Sequence, residues 1–279
     1  MVSKLTVQDH SRIFNGFTYV YPVLSRRSGG ISLGINLNIN NACNWRCVYC
    51  QVDGLVRGKP SMIDLVSFEA ELDYMLNLIV NTSFVNDYAP EGLQRFNDIS
   101  LSGNGEPTLS PQLGQVLVIV EKLKIKYKLD NIKLIVISNG SRVDETLVRT
   151  SLAKMSELNG EMWFKIDATN SDDIAKVNQV ELSTDSIKKR LAIAVSIIPT
   201  KIQTCVFRDK LGKYNISDFA QYWAILQDNA IHIRSVMLYS IARSPALAEG
   251  SGLQSATAEY LSSFALYLTN KGLEVDWYV

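Results

Sequence analysis

The apolar positions change period early in the chain. Between residues 31 and 40, Ile35, Leu37 and Ile39 alternate with Asn36, Asn38 and Asn40. A period of two is that of a strand, with apolar side chains on one face and amides on the other. From 61 to 80, Leu65, Phe68, Leu72, Leu76 and Ile79 recur at spacings of three and four. That spacing predicts a helix, with Ser61 and Asp64 as a capping-box variant at its start. The exchange continues, with strands predicted over 98–103, 133–138, 161–168, 201–207 and 231–240. Helices are predicted near 111–128, 144–155, up to about 197, 217–227 and 256–270. The 133–138 strand is nearly all apolar, as one covered on both faces should be. Lys271-Gly272 ends the last helix, and a short strand is expected over 273–279. The longest irregular stretch, 81–97, reads as a surface loop near the site.

Six strand–helix units argue for a parallel sheet with right-handed crossovers, two units short of a closed eightfold barrel. The fold class expected is therefore α/β, either a partial (β/α)6 TIM-like barrel or a flat doubly wound sheet. The chain reads as a single domain, with 1–30 as an N-terminal extension, 31–245 as the core, and 246–279 as a C-terminal helix and short strand. The end soon after the sixth unit predicts a side opening through which a large substrate or partner enters.

Composition adds the surroundings. The 279 residues are 47% hydrophobic, enough for a large core. Lys+Arg and Asp+Glu both count 28, so no net charge recruits nucleic acid or an anionic membrane. No apolar run approaches the ~18 residues of a membrane span, and the start from Met1 to His10 lacks a leader's apolar stretch. A cytoplasmic location is expected, where thiols stay reduced.

Against that background the cysteines stand out. Cys43, Cys47 and Cys50 have the spacing C-x3-C-x2-C, while Cys205 is alone. Three thiolates on one tight loop reach three corners of an iron–sulfur cube and leave the fourth iron to a small molecule. A structural zinc site would need four ligands, and neither His10, His232 nor Cys205 is close in sequence. Three buried core thiols on one loop would be a coincidence. Cys205 reads as a buried thiol, with hydrogen-atom donation to a substrate radical as the functional alternative.

The loop, with Tyr49 as the aromatic before the last cysteine, resembles the radical S-adenosylmethionine (SAM) superfamily. Ser25-Arg26-Arg27, Ser32-Leu33-Gly34, 44–51, 102–109 and Leu238-Tyr239-Ser240-Ile241-Ala242-Arg243 resemble the wyosine-synthase-related Fe–S oxidoreductases within it. The resemblance implies the partial barrel, with Cys43, Cys47 and Cys50 as metal ligands and catalytic centre. Its cofactors would be a [4Fe–4S] cluster and SAM. One electron would cleave SAM to methionine and a 5′-deoxyadenosyl radical that takes hydrogen from an unknown substrate. A reductant such as flavodoxin or ferredoxin would supply the electron.

The resemblance also assigns cofactor contacts. Gly103-Asn104-Gly105-Glu106-Pro107 would bind the SAM amino group through backbone acceptors and the carboxylate; alone it is a Gly/Pro turn, with Asn104 where a second glycine is commoner. Ser138 and Asn139 would lie near SAM, or form a plain turn with Gly140. Lys165 and Asp167 share one strand face, with Phe164, Ile166 and Ala168 opposite. They would bond the ribose or substrate, or form a buried ion pair. Tyr239 would lie on the adenine-reading segment and Tyr49 pack on the same ring, unless both are core tyrosines. Arg243 is a partner for the SAM carboxylate or a surface residue. Arg26 and Arg27 read as surface arginines, with an anionic substrate group as the alternative. Asn36, Asn38 and Asn40 are expected to line the cavity.

Wyosine synthases carry further cysteines for a second cluster, as do auxiliary-cluster enzymes that modify peptides. Cys205 alone does not supply one, so their reactions and the tRNA substrate are not carried over. A glycyl-radical activase would bind a large partner stably. A non-catalytic Fe–S and SAM-binding sensor would bind both yet release no 5′-deoxyadenosine.

Overall fold

The computed structural model describes residues 4–6, 12 and 14–279. Of the opening ten residues only Lys4, Leu5 and Thr6 are among these, so His10 and the reading of that segment lie outside them.

Two strands, β1 (Val20–Ser25) and β2 (Gly30–Ile35), make an antiparallel hairpin. The sequence reading missed β1, which falls inside the expected extension. Pro22 in its middle is tolerated because β1 is a sheet edge. The predicted 31–40 strand ends early, at Ile35, because Asn36 turns its side-chain oxygen onto the backbone N–H of Asn38. Two short strands, β3 (Ala42–Cys43) and β4 (Val56–Arg57), then bracket the cysteine loop. Helix α1 (Leu65–Asn81) starts at Asp64, whose carboxylate accepts from Val66 N at 3.0 Å, so the Ser61 box does not form. A short helix, α2 (Phe84–Tyr88), breaks the expected 81–97 loop, and its Phe84 and Tyr88 rings stack at 4.3 Å. No residue of that stretch borders the main cavity.

Next come β5 (Phe96–Leu101), α3 (Leu113–Lys126), β6 (Lys133–Ser138), α4 (Thr146–Glu157) and β7 (Gly160–Lys165). They are followed by α5 (Ser171–Val177), α6 (Thr184–Ile197), β8 (Thr200–Arg208), α7 (Phe219–Leu226) and β9 (Ile233–Ser240). The chain closes with β10 (Gln254–Ser255), α8 (Ala258–Thr269) and β11 (Val275–Tyr278).

Among the described residues the main sheet runs β1-β2-β5-β6-β7-β8-β9-β11, parallel from β2 onward, with β10 against β8. It curls into a half barrel, so the barrel alternative holds and the flat sheet does not. Leu33, Ile99, Leu134, Phe164, Ile202 and Leu238 face outward into the core beneath the helices. The inner face carries Ser32, Asp98, Ser100, Trp163, Lys165 and Gln203.

The curl brings the sheet's two ends together. Arg26, in the β1–β2 turn, donates to the Val279 carbonyl, and the Tyr278 hydroxyl donates to the Arg27 carbonyl at 3.4 Å. Tyr278 also packs against an inner cluster of Ile135, Trp163 and Met237. Residues 278 and 279 thus lie between the β1–β2 turn and the inner face of the sheet.

Candidate active site

The cysteine loop is tied to the loop after β5 by two asparagines. Asn36 Oδ1 accepts from Asn38 N (3.0 Å) and Asn104 N (3.1 Å). Asn38 Nδ2 donates to the carbonyls of Ala42 (2.9 Å) and Glu106 (3.2 Å). Gly105 fits this junction because a Cβ there would collide with the Ala42 carbonyl and the Asn38 amide. Asn40 is exposed and donates to the Lys59 carbonyl. None of these three asparagines lines the cavity, contrary to expectation: their amides are spent fastening loops.

Cys43, Cys47 and Cys50 are half-buried and border one cavity of about 300 Å³. The loop rests on the end of α5, where Arg46 N and Val48 N donate to the carbonyls of Asn178 and Val177. Asn178 Nδ2 also donates to Cys47 Sγ at 3.2 Å. Val52, Leu55 and Leu247 form a small apolar cluster against Cys43 and Cys50. Burial, with Glu106 nearby, pushes the Cys43 thiol up to about 12. Burial, with Asp167 nearby, pushes Cys47 up to about 11. Dry thiols of this kind ionise readily only beside a cation, such as a bound metal would supply.

Glu106 is 3% exposed, and its carboxylate is consumed internally. One oxygen accepts from Thr108 N (3.1 Å), Thr108 Oγ1 (2.6 Å) and Ser138 Oγ (2.7 Å); the other accepts from Asn139 N (2.7 Å). Burial raises its pKa, opposed by those bonds. Glu106 thereby pins the end of β6 to the loop. Gly103, Asn104, Gly105, Glu106 and Asn139 border the cavity, and Ser138 does not.

A second buried network forms the opposite wall. Asp167, with a side chain 0% exposed, accepts from the Tyr49 hydroxyl, from Cys205 N (2.9 Å) and from Asn178 Nδ2 (3.5 Å). Lys165 Nζ lies 3.5 Å from Asp167 and donates to the Tyr239 hydroxyl at 3.1 Å. Burial works against the Lys165 ammonium, yet Asp167 and its neighbours hold the proton more tightly than usual. Tyr49, buried beside Asp167, is held well above the ordinary tyrosine range. Lys165, Tyr49 and Tyr239 line the cavity, whereas Asp167 lies behind them and positions them. Cys205 is buried as expected and also lies on this wall.

Arg26, Arg27 and Arg243 all line the cavity, which overturns the surface reading of the first two. The Arg27 guanidinium lies over the rings of Tyr239 (4.9 Å) and Trp163 (5.4 Å). Asp98, Ser100, Ser102, Ser32 and Gln203 were missed. A signal was present, since Asp98, Ser100 and Ser102 alternate with Ile99 and Leu101.

Among the described residues no three His, Cys, Asp or Glu side chains converge tightly enough for a single metal ion. The three thiols instead share the edge of a cavity, beside a loop whose glycine leaves no room for a side chain. That donor set fits a cluster better than a lone ion.

A curled α/β half barrel with three thiols at the strand ends defines a cofactor-dependent enzyme scaffold. Residues 37–221 match the Radical SAM superfamily, and the chain belongs to that superfamily. Its cofactors are accordingly a [4Fe–4S] cluster and SAM, and the chain is an enzyme. It is 26% identical over 164 residues to the UPF0026 protein slr1464 of Synechocystis sp., covering 58% of this chain and 53% of that protein. It is also 26% identical over 164 residues to a protein named GTPase Obg from Brachyspira hyodysenteriae, covering 59% of this chain and 21% of that one. The chain thus matches about half or less of each of these curated relatives. In fold it is similar to Streptococcus suis SuiB bound to S-adenosylmethionine (TM-score 0.58, 12% identity, 90% of this chain and 52% of that one). It is similar as well to anSMEcpe with bound AdoMet (TM-score 0.55, 16% identity, 88% and 63%) and to a spore photoproduct lyase mutant (TM-score 0.53, 12% identity, 85% and 74%). No helix among the described residues is long and apolar enough to cross a membrane.

Proposed function

We propose that Cys43, Cys47 and Cys50 bind a [4Fe–4S] cluster and that the cavity beside them takes SAM and a substrate. The observation that carries this reading is the sharing of one cavity by the three thiols and the Gly103–Gly105 backbone. When bound, the cluster and SAM supply one-electron cleavage chemistry that removes a hydrogen atom from the substrate and yields 5′-deoxyadenosine.

The chain's own residues do the rest. Asn178 steadies Cys47 through its Sγ contact, and Val52, Leu55 and Leu247 keep water from Cys43 and Cys50. Backbone carbonyls of the Gly103–Gly105 segment meet the SAM amino group, while Glu106 fixes their direction from behind. Lys165, oriented by Asp167, and Tyr239 offer polar contacts to ribose or substrate. Tyr49, tied to Asp167, offers the flat wall for a ring. The finer likeness to the wyosine-synthase-related group rests on residues 25–27, 32–34, 44–51, 102–109 and 238–243, and Tyr239 to Arg243 of the last segment border the cavity. A small flavin or iron–sulfur protein is the proposed electron donor.

The test is anaerobic reconstitution followed by a 5′-deoxyadenosine assay with dithionite, wild type against Cys43→Ala. The wild type should bind about four irons per chain and release 5′-deoxyadenosine, and the variant should do neither. Tightly bound zinc, or an iron spectrum indifferent to SAM, refutes the proposal.

A further inference from the structure

The half barrel has a second end, away from the cysteine loop. The β1–β2 turn lies where β2 begins, whereas the cysteine, Gly103 and Ser138 segments follow the C-terminal ends of β2, β5 and β6. The turn places Arg26 and Arg27 on the cavity lining.

Among the described residues Arg27 is in no ion pair, and the other charged groups nearby have partners of their own. Asp167 is paired with Lys165, and Glu161 with Lys133 (3.7 Å) and Lys201 (3.8 Å). Arg26 spends one N–H on the Val279 carbonyl, and Arg27 rests on two aromatic faces. Asp98 is the carboxylate that faces Arg27.

Two polar atoms on the same lining have no partner. Asp98 is 2% exposed; its Oδ1 accepts from Ser32, and its Oδ2 accepts from nothing. The Ser28 hydroxyl faces it outside hydrogen-bonding geometry. Gln203 is 1% exposed, and its Nε2 donates to nothing. Buried polar groups are normally satisfied, so an orphan acceptor and an orphan donor lining one cavity mark the place of a ligand.

We propose that Arg26, Arg27, Asp98 and Gln203 bind the substrate, and that the substrate is a small anion, a carboxylate or a phosphate, bearing a hydroxyl or amino donor. This rests on the catalytic reading above and names the substrate class for it. The anionic group meets the two guanidinium forks, the geometry in which arginine binds carboxylate and phosphate. The hydroxyl or amine donates to Asp98 Oδ2, and Gln203 Nε2 donates to a substrate oxygen. Trp163, beneath Arg27, limits how far a bulky molecule can descend.

The experiment is anaerobic equilibrium dialysis of the reconstituted enzyme with SAM present, using labelled D-glycerate, sn-glycerol 3-phosphate and glycerol. Wild type should bind at least one of the two anions, and the tighter one identifies carboxylate or phosphate; glycerol should not bind. Arg27→Gln should weaken that anion by about tenfold, equal to ~1.4 kcal/mol, while keeping its iron content and melting midpoint. Arg27→Lys, which keeps the charge, should fall between. Binding of neither anion, glycerol binding as tightly, or an Arg27→Gln protein with wild-type affinity overturns the proposal. Wild-type data separate the two readings. A protein that binds the anion but whose iron spectrum ignores SAM refutes the catalytic reading alone. One that cleaves SAM but binds neither anion refutes the anion site alone.

Discussion

Replacing Asp98 with asparagine should make the protein more stable near neutral pH, and the gain can be sized. Burial pushes this carboxyl from the ordinary 3.8 up to about 6, against the pull of the Ser32 hydroxyl. A carboxyl with a raised folded value binds more protons folded than unfolded. Stability is therefore fullest below about 4, falls as pH climbs toward about 6, and stays low above that. Roughly two pH units at about 1.4 kcal/mol each amount to about 3 kcal/mol lost by pH 7. Asparagine has no charge to desolvate and keeps an oxygen for the Ser32 hydroxyl. Urea unfolding of the reduced apoprotein, followed by far-ultraviolet circular dichroism at pH 4, 5, 6 and 7, reads the effect directly. The two proteins should be nearly equal at pH 4 and separate with rising pH. Asp98→Asn should lead by about 2–3 kcal/mol at pH 7. An offset independent of pH, or a variant weaker at pH 7, would refute the reasoning.

Three further outcomes are expected. Glu106→Ala strands the buried donors of Thr108, Ser138 and Asn139 and should cost about 3–5 kcal/mol of stability, read as a lower urea midpoint at unchanged slope. Gly105→Ala pushes a methyl group into the Ala42 carbonyl; it should destabilise by about 1–3 kcal/mol and reduce iron per chain after reconstitution. Glu249→Gln breaks the partly exposed pair with Arg46 and should leave the urea midpoint nearly unchanged in the same titration.

Where local chemistry decides the structure, the sequence was readable. The apolar run at Lys133–Ser138 is a strand with the predicted bounds, because a strand covered on both faces has no rival period. The cysteine spacing likewise announced a shared site. The misses come from long-range partners. Alternation carries on through Leu37 and Ile39, which still pack in or against the core, so nothing in the pattern marks the break that Asn36 makes. Nor does the sequence say that Glu106 is surrounded by donors from β6, or that Asp167 sits behind Lys165 and Tyr49. Arg26 and Arg27 look like ordinary turn residues until the sheet curls and carries their turn to its far edge.

That meeting of first and last strands differs in kind from every other strand junction in the barrel. Elsewhere neighbours are stitched by backbone ladders, but β1 and β11 share none, and among the described residues their turn and tail are joined by hydrogen bonds from Arg26 and Tyr278. Unfastening this seam would forfeit side-chain bonds worth on the order of 1 kcal/mol each while every rung of the sheet stays intact. The barrel wall is thus weakest along one line, next to its arginine floor.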